Sequence, residues 1–100
     1  MERSNMQPEA KVVQQCRKYL VSLGYFPLNL IDVSPSGMPD ALYISPEGKT
    51  LWIEYKAAHG RLRDLQKYRI EELTKRYKQT VWVIHSLDEL KEKLNEQDKQ

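Results

Sequence analysis

One hundred residues, 40% of them hydrophobic and 30% charged, describe a single globular domain rather than a fibrous or disordered chain. The lone cysteine, Cys16, excludes an internal disulfide framework and fits a reducing, cytoplasmic setting. The opening MERSNMQPEA has no apolar stretch of the signal-peptide kind, and no apolar run approaches the roughly 20 residues of a membrane span.

In chain order, residues 1–6 are polar and expected to fray, as is the tail at 95–100. Residues 8–23 read as a helix. Pro8 suits its first position, Glu9 its positive dipole end and Gly24 its stop. Val13, Cys16 and Leu20 recur at helical spacing, widened by Val12, Tyr19 and Leu23, so Cys16 is expected in the core. LNLIDV (28–33) reads as a strand and SPSG (34–37) as a loop. Residues 40–45 and 50–56 read as two strands joined by Pro46-Glu47-Gly48. Leu62, Leu65, Arg69, Leu73 and Tyr77, with Ile70 beside them, mark a second helix. VWVI (81–84), short, apolar and β-branched, reads as a buried strand. Ser86 and Glu89 form a capping box, and Leu87, Leu90 and Leu94 follow as the last helix. Trp52 and Trp82 are expected in the core. His59 and His85 lack metal-ligand spacing and read as loop or strand-end structure. The order is helix, three strands, helix, strand, helix. Because the last strand follows a crossover helix, the expected fold is α/β, a four-stranded mixed sheet flanked by helices.

Charge is unevenly placed on a chain whose net charge is +2. Between Lys56 and Lys78 stand eight Lys or Arg and three acids, a local excess of +5. Such a stretch meets an acidic partner, a phosphate backbone above all, or is simply a solvated helix face. Arg61 and Arg63, beside Gly60 and just past the third strand, are the best placed to meet phosphate, with Lys67 following.

The hairpin raises a sharper question. A turn centred on Glu47 sets Asp40 opposite Glu54, Leu42 opposite Trp52 and Ile44 opposite Thr50. Opposed side chains share a face, with Cβ atoms about 5 Å apart. Lys56 joins that face. Ala41, Tyr43, Leu51, Ile53 and Tyr55 take the other, and both are apolar enough for central strands. Two carboxylates so placed repel by about 3 kcal/mol at an effective dielectric near 20. A proton on one acid, Lys56, or a divalent cation such as magnesium would relieve this. A plain ion pair of Lys56 at the sheet end is the structural alternative. The D/E-x-K pattern occurs at Glu9, Glu47, Glu54 and Glu89, but only Glu54-Tyr55-Lys56 lies in an apolar strand. Gln66 falls inside the stripe of the second helix, where a buried amide needs partners; otherwise its amide lies in water on the helix flank. Glu9 stands at the end of the first helix's stripe, where dipole stabilisation alone accounts for it.

Gly37-Met-Pro-Asp40, Glu54-Tyr-Lys56 and Gly60-Arg-Leu-Arg-Asp-Leu-Gln66 together resemble the PD-(D/E)xK nuclease superfamily. Within it the sequence is most similar to the VRR-NUC (virus-type replication-repair nuclease) family, especially its small stand-alone phage members, over nearly the whole chain. The resemblance implies Asp40 and Glu54 as ligands of Mg2+ or Mn2+, with the backbone carbonyl of Tyr55 as a third. It implies that Lys56 positions or activates the attacking water. Glu9 is similar to the acid this family carries on its first helix, and Gln66 to its glutamine after the lysine strand. Some related nucleases place a tyrosine four residues after that glutamine; here Ile70 stands there, so no tyrosine role is implied.

The function expected is a metal-dependent, structure-selective DNA endonuclease without a small-molecule cofactor. One hundred residues leave little room for a base-reading element, so DNA shape is the expected target. The resemblance implies a homodimer cutting four-way (Holliday) junctions in DNA repair. Two rivals are a non-cleaving nucleic-acid-binding module and an accessory module of a replication or repair complex.

Overall fold

The computed structural model describes residues 8–31 and 33–98, so residues 1–6, expected to fray, lie outside it. Helix α1 (Pro8–Ser22) ends where expected. Gly24, at φ +93°, donates to the Val21 carbonyl at 2.9 Å, and Tyr25 donates to that of Leu20 at 3.0 Å, the Schellman closure that a left-handed glycine permits. The next strand departs from expectation. It is β1 (Phe26–Asn29), not 28–33. It lies at the sheet edge, where Pro27 is tolerated and apolarity does not report burial: Phe26 is 60% exposed, and Ile31, beyond the strand, 71%.

Strands β2 (Ala41–Ile44) and β3 (Thr50–Tyr55) form the hairpin with the expected register, Leu42 opposite Trp52 and Ile44 opposite Thr50. The turn closes by Gly48 N–H to Ser45 O and Ser45 N–H to Lys49 O, both 2.8 Å. The second helix comes in two parts. α2 (Asp64–Glu71) runs into a π-helical turn, Glu72–Arg76, in which the Tyr77 N–H reaches the Glu72 carbonyl. Thr74 bends its hydroxyl back to the carbonyls of Ile70 (2.9 Å) and Glu71 (3.2 Å), the local competition that loosens a helical ladder. The inward face of this segment is Gln66, Ile70 and Leu73, whereas Leu65 and Tyr77 of the expected stripe are exposed.

β4 (Thr80–Ile84) returns parallel to β3, completing a mixed sheet of order β1-β2-β3-β4. α3 (Leu87–Asp98) follows, helical through residues 95–98 that composition marks as frayed. Its cap is half a capping box. Ser86 Oγ accepts the Glu89 N–H at 3.1 Å, but Glu89 reaches back to the His85 N–H and ring instead of to Ser86. No helix among the described residues is long and apolar enough to cross a membrane.

The sheet has helices on both faces. Tyr43, Leu51, Ile53, Tyr55 and Ile84 bury one face against Cys16 and Leu20 of α1 and Leu90 and Leu94 of α3. The other face carries Leu42, Trp52 and Glu54 under α2 and the π turn. Trp52 and Trp82 are half-buried rather than core: the Trp52 indole donates to Gln79 Oε1 at 2.8 Å, and Trp82 packs at the core margin under Lys93.

Candidate active site

At one end of the sheet, where β3 stops and β2 starts, the charged residues of the hairpin converge. Continued outward, the register pairs Asp40 with Glu54 and Pro39 with Tyr55. A proline has no N–H, so Pro39 cannot close that last pair. Asp40 closes half of it with its side chain, Oδ2 accepting the Tyr55 N–H at 2.9 Å. The Tyr55 carbonyl has no donor opposite it on Pro39. Proline before aspartate thus ends the ladder and frees a main-chain oxygen beside the carboxylate.

Glu54 is 2% exposed. Its Oε2 accepts from Gln66 Nε2 at 2.9 Å and lies 3.3 Å from Lys56 Nζ, while Oε1 is buried with no partner among the described residues. Burial, then the negative charge of Asp40, push its pKa up to about 7; Lys56 opposes this, and Glu9 adds to it weakly. Gln66 is buried at N3 of α2, and its Oε1 accepts the N–H of the cap residue Arg63 at 2.9 Å. With its oxygen so held, its NH2 is directed at Glu54. The geometry brings Asp40, Glu54, Lys56 and Gln66 together.

The segment before Asp40 is clamped to α2. Gly37 has φ +84°, and a Cβ there would lie 2.6 Å from Leu65 Cγ. Arg69 Nε donates to the Ser36 carbonyl at 2.9 Å. The exposed Leu65 and half-buried Arg69 therefore set the path of the chain into Pro39 and Asp40.

Glu9 makes no hydrogen bond or ion pair with these four among the described residues, though its charge acts on Glu54. It lies on the wall of a cleft of about 480 Å3 that also reaches Asp40 and Tyr55. No three acids, histidines or cysteines among the described residues stand close enough to hold a metal ion by themselves. The oxygen donors at hand are Asp40, the unpartnered Oε1 of Glu54 and the Tyr55 carbonyl. This hard, incomplete set fits a magnesium-like cation, which uses one or two carboxylates and completes its shell with water and substrate phosphate.

The basic stretch does not form one stripe. Arg61, Arg63 and Lys67 are exposed near the site and in no ion pair among the described residues. Arg69 is held by Ser36 and Glu72, and Lys75 by Glu71. Arg76 lies about 20 Å of helix beyond Arg63. Sequence reasoning missed the buried hydroxyl pair of Tyr43 and Tyr55, 2.7 Å apart beneath the cleft. Their shared face in the hairpin register was the available signal. Burial raises the pKa of both.

A four-stranded mixed sheet between helices, with Pro-Asp and Glu-x-Lys meeting at one sheet end, is the architecture of a PD-(D/E)xK nuclease. Residues 8–87 match the VRR-NUC domain, and the chain belongs to that family. Membership implies a nuclease of the PD-(D/E)xK type, with DNA as its substrate class. A solved VRR_NUC domain structure superposes with a TM-score of 0.82, covering 90% of this chain and 97% of that one at 24% identity, a likeness of fold. No curated protein matches the chain.

Proposed function

We propose that this nuclease domain is a divalent-metal-dependent endonuclease that hydrolyses phosphodiesters in branched DNA, four-way junctions above all. The observation that carries the reading is the buried Glu54, paired with Lys56 and Gln66 through one oxygen and left with the other unpartnered, opposite Asp40. A buried carboxylate beside a second one is costly unless a positive charge completes the site.

Asp40, Glu54 and the Tyr55 carbonyl would hold Mg2+ or Mn2+. When bound, the cation would polarise the phosphate and lower the pKa of its water. Lys56 supplies fixed positive charge where negative charge develops on the attacked phosphate. Gln66 keeps Glu54 in one orientation. Arg61, Arg63 and Lys67 hold the backbone without reading bases.

Selection of branched DNA rests on the family resemblance and on the little room that one hundred residues leave for a base-reading element. Paired incisions would need a two-fold dimer. The edge strand β1, with Phe26 and Leu28 exposed, offers a surface on which a second copy could seat. A cytoplasmic setting fits the unpaired Cys16.

The test is incubation with four-way junction, linear duplex and single-stranded DNA, each with magnesium, manganese or chelator, alongside light scattering. Metal-dependent paired cuts in the junction by a dimer are expected. Equal rates on linear and branched DNA, or a monomer, would remove the junction reading; no cleavage with either metal would remove the endonuclease reading.

A further inference from the structure

The cleft between α1 and the β1–β2 edge opens onto Asp40 and Tyr55, but the rest of its lining is not used by the chemistry above. Its α1 wall is a ladder at every fourth residue: Glu9, then Val13, then Arg17. Anionic and cationic ends therefore stand about 12 Å apart along the helix. Between them the floor is aliphatic, from Val13, Pro27 and Ala41, with the amides of Gln14 and Asn29 on the lining.

Beneath lie Tyr43 and Tyr55, each 1% exposed, whose hydroxyls are 2.7 Å apart. Two hydroxyls carry two hydrogens, and the bond between them uses one. The second has no acceptor among the described residues. A buried donor without an acceptor is costly, and the two tyrosines that share it line the cleft.

Resting on the nuclease reading, we propose that this cleft is a subsite for one unpaired nucleoside of the DNA strand adjoining the scissile phosphate. The volume, about 480 Å3, falls in the range of small-ligand pockets. A flat base needs an apolar surface for its face and amides or hydroxyls for its edge, and this cleft has both. The acids at the Asp40 end repel a bare phosphate there, so the phosphate at that end is the one met with a cation. Arg17 takes the strand's charge at the other end. A paired base cannot enter, because its edge is taken by its partner and its faces by its neighbours. The subsite therefore selects DNA in which a nucleotide beside the cut is free, as at a branch point.

The test places a single 2-aminopurine at successive positions around the branch of a junction, and titrates in the protein with chelator present. Emission of this base rises when it leaves the stack. A rise at one position, beside the cut mapped separately with metal, is expected. Gln14→Trp, which fills the cleft from an exposed helix position, should weaken that signal about tenfold, as loss of one base contact does. Arg17→Ala should weaken binding of the same DNA, and both variants should melt as wild type does. No rise at any position, or a rise that Gln14→Trp leaves unchanged, overturns the subsite. Cleavage without a position-dependent rise sinks the subsite alone; a rise without cleavage in magnesium or manganese sinks the nuclease reading and, with it, a subsite placed beside the scissile phosphate.

Discussion

Gln66 holds Glu54 by a 2.9 Å bond from Nε2 to Oε2, while its own oxygen holds the N–H of Arg63 at the start of α2. One side chain thus ties the helix terminus to the buried acid. Neither end can shift without breaking a bond, and the bond to Glu54 lies in a place closed to water.

Gln66→Ala should therefore cost stability twice, through a lost cap bond and a less satisfied buried carboxylate. About 1–3 kcal/mol is expected from urea denaturation of the metal-free protein. Cleavage should fall about 10–100-fold, as when a partner of a metal ligand is removed.

The raised pKa of Glu54 makes the metal-free protein sensitive to pH. In the unfolded chain the group titrates near its ordinary 4.5, and in the fold near 7. Below both values it is protonated in both states and costs nothing. Between them the folded state holds more protons than the unfolded one, so stability falls as pH rises, and the loss is complete above about 7. The total is on the order of 3 kcal/mol. Denaturation in chelator from pH 4 to 8 should show this slope, and Glu54→Gln should flatten it.

Asp40 has two opposing effects on stability. Its charge raises the pKa of Glu54, yet its Oδ2 satisfies the Tyr55 N–H. Asp40→Asn keeps an acceptor and removes the charge, and should stabilise the metal-free protein at pH 8 by about 1–2 kcal/mol. Asp40→Ala also loses the bond, at a cost of about 1–3 kcal/mol, and should show a smaller gain or a net loss. Melting temperatures of the two variants in chelator separate these effects.

Gly37→Ala tests the clamp on the loop before Asp40. The new methyl group meets Leu65 at a backbone angle that favours glycine. Expected are a stability loss of about 1–3 kcal/mol by denaturation and a fall in cleavage rate, although Gly37 makes no contact in the charged cluster.

Much of this was legible in the sequence. Alternation about Pro46-Glu47-Gly48 fixes the hairpin register, because a slip of one residue would turn Tyr43, Ile53 and Tyr55 out of the core. The acids and Lys56 follow from that register. β1 was misplaced because an exposed edge strand leaves no burial pattern to read. The face of the second helix was misassigned because Gln66, a polar residue, takes an inward position to meet Glu54, and the π turn then alters the helical period. The local excess of basic residues says nothing of how they are distributed in space, and helical geometry and local ion pairs divide them. The missing ladder bond opposite Tyr55 appears only once Pro39 is seen in register.

That division of the basic residues gives a binding prediction. Charge reversal at Arg61 or Arg63 should weaken DNA binding across sequences, and should reduce the log–log salt slope by about 0.9 per lost phosphate contact. The same change at Lys75, paired with Glu71 farther along the helix, should alter it little. Fluorescence anisotropy at several salt concentrations measures both.

The central claim is that Asp40 and Glu54 together hold the divalent cation that hydrolysis requires. It is tested most directly by cleavage rates of wild type and Asp40→Asn on one DNA junction, across a manganese titration and in chelator. Wild-type cleavage should rise to saturation with manganese and vanish in chelator. Asp40→Asn, folded by its melting curve, should be slower by about 100-fold or more at every concentration. Cleavage by Asp40→Asn at the wild-type rate, or wild-type cleavage that persists in chelator, would contradict it.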